Sequence, residues 1–591
     1  MTFLIKLFMG ICWVSIFALT AHAALAPELI YRHVEDGSPG SLDPINIQNT
    51  YANSLVIAIY DTLYEYKYLK RPFELKPSLA TAMPKVSDDG LVYRIKIRSG
   101  VRFADDPAFK GGKGREVVAE DFIYSLKRHF IQANRSNGKW LWQGKIKGLD
   151  KWANESGDFD KFVEGLKSLD RHTIQVTLVK PFPQFLYTLA LGYAALVPRE
   201  AVEKYGKQIS VHPVGSGPFM LETLTSTKAV LRKNPGFRSE IFDLKNHGYE
   251  PSKHGSKGLE KLSGKILPIV DKVEVSFIKQ PSSLWNSFTK GNEIQYGWVP
   301  ALQLDHVLKS KSPPRLKGEF ATKFHMRVAS DFGFVYMEFN MNNPNIGYHK
   351  DAKQNQRNHA LRCAIRKGFD WQNRIDRMYY GIGQAFPGVI PPGVDGFDPT
   401  LSRDSVELDI KGAKHLLSTN GWNADTLPAL YYSGVNSVDF RKFFVQFRSW
   451  MVKIGYPKDK IKLKTFATFG DYSKAIKSGL LMTHSMGWGL DYPDAENVLQ
   501  LYYGPNKSPG SNSSNFNNPE YNEIYRKASV MQPSVERTEL YKKANKILID
   551  ECVVIAGFSR TRVHLWHKNV SMYPTRDVLG NYFKYVGITP R

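Results

Sequence analysis

The chain has 591 residues, more than a single hydrophobic core commonly serves, so two or more lobes are expected. Hydrophobic residues make up 42% and aromatics 13%, without low-complexity tracts or short-period repeats, which argues against a disordered chain or a solenoid. The formal charge of +24 comes from Lys and Arg spread along the whole length, so it marks no nucleic-acid arm and suits acidic ligands or an anionic membrane surface equally.

The first residues read as an export signal. Lys6 precedes the apolar run Leu7 to Leu19, and Ala21-His-Ala23 offers a small-x-small cleavage site. One lysine is a thin charged region, so an uncleaved anchor is the alternative. Cys12 lies inside the apolar run after Ile11, a poor setting for a lipidated cysteine. No later stretch is apolar for long enough to span a bilayer. The expectation is an exported chain, soluble once residues 1–23 are removed.

Ser41-Leu-Asp-Pro44 reads as a turn, and Asn49-Thr-Tyr51 leads into an apolar helix through Leu55, Ile59 and Leu63. Leu91 to Arg98 alternates apolar and basic residues, which predicts a half-buried strand closed by Ser99-Gly100. Glu120-Asp121 opens a helix with Phe122, Ile123, Leu126 and Phe130 on one face. A helix is predicted near Phe159 to Leu169, and Thr173 to Leu178 alternates as a strand. His212-Pro-Val-Gly-Ser-Gly-Pro-Phe219 specifies a backbone shape rather than a reactive group, and it lacks the lysine of a phosphate loop. Residues 239–264 are polar and read as a surface excursion. Val273 to Phe277 reads as the last strand of a first lobe, and Trp285 to Val299 starts a new helix–strand rhythm.

Further on, Asn358 to Phe369 is helical, and Asp370 is placed to cap a second helix through Ile375 and Met378. Phe440, Phe443, Phe444, Phe447, Trp450, Met451 and Ile454 keep helical spacing and are read as core, with Gly455 as the stop. A strand with a wet lysine face follows near Ile461 to Phe466. Cys363 and Cys552 are read as small buried apolar residues, with a disulfide as the alternative in an oxidising compartment. Their number excludes a structural metal site built from cysteine. His564 and His567 would face opposite sides of an alternating strand, and His212, His415 and His484 are scattered, so no metal site is expected.

Met486-Gly-Trp-Gly-Leu-Asp-Tyr-Pro-Asp494 carries the most chemistry. It sets two carboxylates, Asp491 and Asp494, beside Trp488 and Tyr492 on a backbone stiffened by glycines and a proline. A carboxylate among aromatics suits a cationic group. An ordinary turn using Asp and Pro for local hydrogen bonds is the alternative. The chain has neither a Gly-x-Ser-x-Gly elbow nor a His-Glu-x-x-His helix, so Asp491 and Asp494 as an acid–base pair are the remaining hydrolytic option.

Several landmarks, in order, resemble the family-5 extracellular solute-binding proteins, the periplasmic oligopeptide- and dipeptide-binding proteins of ABC importers. They are Ser41-Leu-Asp-Pro44 with Ile59-Tyr-Asp-Thr-Leu-Tyr64, Leu79-Ala80 before Asp89 to Arg94, Leu91 to Phe103, Ala119 to Leu126, and His212 to Phe219. Then come Leu361 to Arg366 with Phe369-Asp370, Ile390-Pro-Pro392, Ala413 to Leu417 with Gly421-Trp422, and Gly487 to Asp494. The chain departs from the pattern in the enlarged loop Asp106 to Gly114 and in the added segments 136–168 and 239–264.

The resemblance implies an α/β fold, a two-lobed class II clamp with a small extra domain on the first lobe. Lobe one is expected at 24–280 plus 556–591, with the extra subdomain at about 71–170, and lobe two at 281–555. The crossings would fall after Phe277 to Gln280 and near Ile555 to Gly557, with hinge closure around a ligand. It further implies a non-enzymatic monomer in the periplasm that needs no cofactor and captures peptides or peptide-like solutes, murein peptides among them, for an inner-membrane ABC permease. Asp491 would pair with the peptide α-amino group, Trp488 and Tyr492 would wall it, and Asn49, Thr50 and Tyr51 would line the cleft. Asp494 and the glycines of 487–489 are read as structural. Relatives of the fold also bind nickel chelates, haem or oligosaccharides, which are the alternative ligands. No residue is assigned to the ligand carboxylate; Arg362, Arg366 and Arg374 sit on helices in solvated or packing roles.

Overall fold

A computed structural model describes residues 27–290, 293–574 and 582–590 of the chain. The expected signal at 1–23 lies outside the described residues. Among the described residues, no helix is long and apolar enough to cross a membrane.

In the first lobe the strand Ile30–Glu35 pairs in parallel with Lys272–Phe277, which continues antiparallel to Lys228–Lys233 and then Phe219–Leu224. Asn49 caps the helix Thr50–Ile59 by accepting from the Ala52 amide at 2.8 Å, and Ala52, Leu55, Val56 and Ile59 of that helix are buried. The helix end is gripped by the loop at 212–219. A Cβ on Gly215 would lie 2.1 Å from the Ile59 carbonyl oxygen, so this approach admits only glycine. The loop at 106–114 docks on the same place, with Asp106 accepting from Tyr205 at 2.7 Å and paired with His212 at 2.8 Å.

A second four-stranded sheet orders Lys85–Val86, Val92–Lys96, Thr173–Thr177 and Leu166–Asp170. Tyr93 and Ile95 point inward while Arg94 and Lys96 stay exposed, as the alternation predicts. The helix predicted near Phe159 to Leu169 is absent: its second half is the strand Leu166–Asp170, paired antiparallel with Thr173–Thr177. The helical apolar spacing there loses to sheet pairing, since Phe162 is left 67% exposed instead of covering a helix face. The polar segment 239–264 also departs from a plain surface excursion. Its short strand Glu240–Ile241 pairs with Ile266–Leu267, and Phe242, Leu244, Leu259 and Leu262 enter the core.

The second lobe is built on a three-stranded antiparallel sheet with Gly333–Phe339 between Thr483–Gly489 and Val554–Phe558. Phe334 and Tyr336 of the central strand join one core, while Met337 and Phe339 join another. The sheet is therefore buried on both faces. The aromatic helix Val438–Lys453 packs its Phe440, Phe444, Phe447, Trp450 and Met451 into the second of these cores, as its spacing predicts. The helix Trp371–Met378 is capped by Asp370, which accepts from the Asn373 amide at 2.9 Å.

Packing moves the lobe boundary from the expected place. Tyr296–Trp298 and Phe324–Ser330 both pair with Thr561–His567, and Trp285, Phe288 and Phe324 share the first lobe's core. Residues 281–330 thus belong with lobe one. The crossings fall at about 331–333 and 558–560, not at 277–280 and 555–557. There the two segments lie side by side. The Asp331 amide donates to the Arg560 carbonyl at 2.7 Å, their side chains pair at 3.3 Å, and Ser559 bonds the Gly333 carbonyl.

The reading of Cys363 and Cys552 as separate buried apolar residues is also corrected. They form a disulfide across 189 residues, with Cα atoms 5.2 Å apart. It ties the helix Ala352–Lys367 to the turn that follows Val535–Asp550. Both cysteines are buried as expected, but only the fold brings them together.

Candidate ligand-binding site

Thr483–Gly489 is an edge strand of the second-lobe sheet. At Ser485 the outer edge is occupied: the Tyr472 hydroxyl accepts from the Ser485 amide and donates to its carbonyl, both at 2.9 Å. Backbone direction repeats every two residues, so Gly487 and Gly489 turn their amides and carbonyls to the same edge. Both glycines are exposed. An open edge of this kind can take another extended backbone as an added strand.

The strand delivers the chain to Asp491 at the lobe boundary. Asp491 is partly buried, and its carboxylate accepts from Asn497 Nδ2 at 3.2 Å while the Asp491 amide donates to Asn497 Oδ1 at 3.2 Å. Trp488 Nε1 donates to the same Asn497 oxygen at 3.0 Å, so one asparagine fixes both the indole and the acid. Among the described residues no Lys, Arg or His forms an ion pair with Asp491. Burial pushes its carboxyl up to about 6, against the smaller pull of the Asn497 hydrogen bond. This acid is short of a positive partner.

Tyr492 is buried and donates to Glu496 Oε2 at 2.7 Å. Its ring stacks on Tyr187 of the first lobe, with centroids 6.1 Å apart. Tyr193, also of the first lobe, has its hydroxyl pushed up to about 12, by burial first and then by the Asp491 charge. Tyr193 donates to the Ile47 carbonyl at 3.0 Å, which links the region facing Asp491 to the loop before Thr50–Ile59. Of the residues predicted on that loop, Asn49 is occupied as the helix cap, Thr50 is exposed, and Tyr51 packs its ring on Gly37. The structure therefore brings Asp491, Trp488 and Tyr492 together through Asn497 and Glu496, with Tyr193 opposite.

Asp494 has a different place. It is buried, bonded to Arg537, and accepts from the Tyr541 hydroxyl at 3.0 Å and from the Glu496 amide at 2.9 Å. It braces the turn and is not free to act with Asp491. Sequence reasoning missed Asn497, Tyr193 and Tyr472. Only Asn497 left a local signal, lying six residues beyond Asp491 in the same turn-and-helix segment.

His564 and His567 spend ring nitrogens on the Tyr296 hydroxyl at 2.8 Å and the Phe288 carbonyl at 3.2 Å, inside the first core. His359, Cys363 and Cys552 gather donor atoms within 4.8 Å, but the two sulfurs are joined and are not thiolate ligands. Ser513, His484 and Glu338 also meet. His484 Nε2 serves both Ser513 at 3.1 Å and Glu338 at 2.8 Å, whereas a proton relay needs the acid on the other ring nitrogen.

Residues 74–510 match the family described as bacterial extracellular solute-binding proteins, family 5 Middle. The chain is 25% identical over 587 residues to a dipeptide-binding protein of Escherichia coli (strain K12), covering 97% of each. It is 23% identical to heme-binding protein A of Haemophilus influenzae over 520 residues, 85% of this chain and 82% of that protein. The unliganded open form of the periplasmic murein tripeptide binding protein MppA superposes with a TM-score of 0.71 at 21% identity, over 95% of this chain and 98% of that one. The fold is thus the α/β two-lobed clamp that the motifs imply, and the chain belongs to the family-5 bacterial extracellular solute-binding proteins.

Proposed function

We propose that this protein captures short peptides or peptide-like solutes between its lobes in the periplasm and delivers them to an inner-membrane ABC permease. Asp491 carries the reading: a desolvated carboxylate, without a cationic partner among the described residues, stands at the end of an open strand edge and faces Tyr193 of the first lobe. A peptide α-ammonium supplies the missing charge, and burying that ammonium is tolerable only against such a partner. Gly487 and Gly489 would pair with the peptide backbone irrespective of its side chains, with Trp488 and Tyr492 walling the amino end. The loop of Asn49, Thr50 and Tyr51 would line the cleft from the first lobe.

Calorimetry with tri-alanine and its N-acetylated form tests this. Tri-alanine should bind the wild type, and Asp491→Asn should weaken it more than tenfold, a loss of about 1.4 kcal/mol or more. N-acetylation of the peptide should have the same effect. Unchanged affinity in both comparisons would remove Asp491 from the site.

A further inference from the structure

The helix Val438–Lys453 buries an aromatic face, and its outer face carries a second apolar line. Val438, Val445 and Val452 recur every seven residues and are 70%, 56% and 43% exposed. At about 3.6 residues per turn they keep within about 40° of one another, on the side opposite Phe440 and Phe447. The stripe is about 21 Å long. Exposed valine forms helix less readily than Lys, Gln or Glu, so propensity does not account for the three. Single exposed apolar residues are ordinary, whereas a line of them marks a contact. Arg441 and Arg448 border the stripe on one side and Lys442 and Lys453 on the other, all within about 80° of its midline. Arg441, Lys442 and Lys453 are exposed and Arg448 is half-buried. Arg441 Nε donates to Asn436 Oδ1 at 3.0 Å, and the Arg448 guanidinium lies 5.2 Å from the Phe444 ring centroid. Among the described residues, only Lys442 of the four has an ion pair, with Asp439 at 3.6 Å, and both of those side chains are largely exposed. Residues 438–460 hold six Lys and Arg against two acids, Asp439 and Asp459.

An apolar line edged by cations on both sides has the composition of a surface that lies on anionic lipid. Long basic side chains keep their stems along the apolar line and carry their charges out to phosphate, while the apolar residues enter the headgroup layer. We propose that the outer face of Val438–Lys453 is a docking surface for an anionic bilayer. The occupant follows from the charge. The chain carries +24 spread along its whole length, and only an extended anionic plane is met by much of that charge at once, whereas an acidic protein would meet a local part of it. The valine stripe then decides which side of the molecule turns to the plane. Phe443, about 200° round the helix from Val445, lines a cavity of the second lobe together with Ser485 and Gly487. The docking face therefore points away from the edge strand Thr483–Gly489, and the Asp491 region takes no part in it.

The test is co-sedimentation of the chain without residues 1–23, whose apolar run would itself bind lipid, with vesicles of phosphatidylcholine alone or mixed with phosphatidylglycerol. The wild type should bind the mixed vesicles and not the neutral ones, and binding should vanish at about 1 M salt, where charges are screened beyond roughly 3 Å. Changing Arg441, Lys442, Arg448 and Lys453 together to Gln should weaken binding at least about tenfold. Changing Val438, Val445 and Val452 together to Ser should weaken it at least about threefold at unchanged net charge. The control changes four exposed lysines of the first lobe, Lys85, Lys110, Lys207 and Lys265, to Gln and should bind nearly as the wild type does. An equal loss in that control, or none in the serine variant, would reduce the attraction to diffuse charge and overturn the docking face. Failure to bind the mixed vesicles would overturn it as well, and retention on immobilised polyglutamate would then leave the face to an acidic protein. Urea midpoints equal to that of the wild type show that the variants fold. Should the fourfold variant not fold, Lys442→Gln with Lys453→Gln keeps the arginine contacts to Asn436 and Phe444, and unchanged vesicle binding by that pair would count against the proposal.

Discussion

Asp491 and Asp494 are three residues apart, share a loop, and have opposite chemistry because their neighbours differ. Asp494 has Arg537 and Tyr541, whereas Asp491 has an asparagine and a partly desolvated position. Burial raises the Asp491 carboxyl from its ordinary 3.8 to about 6, so in the empty protein it takes up a proton as pH falls through that value. An ammonium ligand needs the ionised form. Binding is therefore fully available above about pH 7 and is lost on acidification through 6, close to tenfold between about pH 7 and pH 5. Calorimetric titrations of tri-alanine across that window should show this loss in the wild type and a flat profile in Asp491→Asn. The aspartate was legible in the sequence because its motif is local. Arg374 was legible only as a helical residue, since its surroundings, in which no acid among the described residues pairs with it, come from strands and helices far away in the chain.

The element that matters most is the turn after Thr483–Gly489, and its rigidity comes from the helix Val535–Asp550. Arg537 and Tyr541 sit one helical turn apart and hold Asp494 from the same face. Arg537 is 1% exposed and Asp494 is 3% exposed, so removing one partner strands a buried charge. Asp494→Ala should cost about 3–5 kcal/mol in urea unfolding, and saturating tri-alanine should not restore it, because the loss lies in the fold and not in a ligand contact. Strands were read well where alternation was strict, as at Tyr93 and Ile95. The error at 159–169 arose where apolar spacing fitted a helix, whereas Leu166–Asp170 pairs as a strand with Thr173–Thr177.

At the scale of the molecule, the two lobes are joined where Ser330–Gly333 and Phe558–Thr561 run together, and they meet again through Tyr187 and Tyr492. The segment 281–330 follows the first lobe because its strands find partners in Thr561–His567, which lies more than 230 residues further along the chain. The disulfide works at the same range within the second lobe. Closing a loop of 189 residues removes much unfolded-chain entropy, on the order of 2–5 kcal/mol. Replacing both cysteines by serine should lower the unfolding midpoint accordingly and leave the affinity for tri-alanine unchanged, since neither residue touches the Asp491 region. An unaltered midpoint would show that the bond does not stabilise the native lobe.

What the sequence determined by itself was whatever short-range pattern encodes. The alternation of 91–98, the aromatic spacing of 440–454, the glycine and proline of the 212–219 loop, and the ordered motifs that mark the family all depend on neighbours a few residues away. Only the tertiary structure decided which side of the hinge 281–330 lies on, that Cys363 reaches Cys552, that Asp494 is paired with Arg537 while Asp491 has an asparagine, and that among the described residues no acid pairs with Arg374. Each of these is a pairing, or a missing pairing, between residues distant in the chain. Periodicity records which face of an element is buried, and it carries no record of what that face meets.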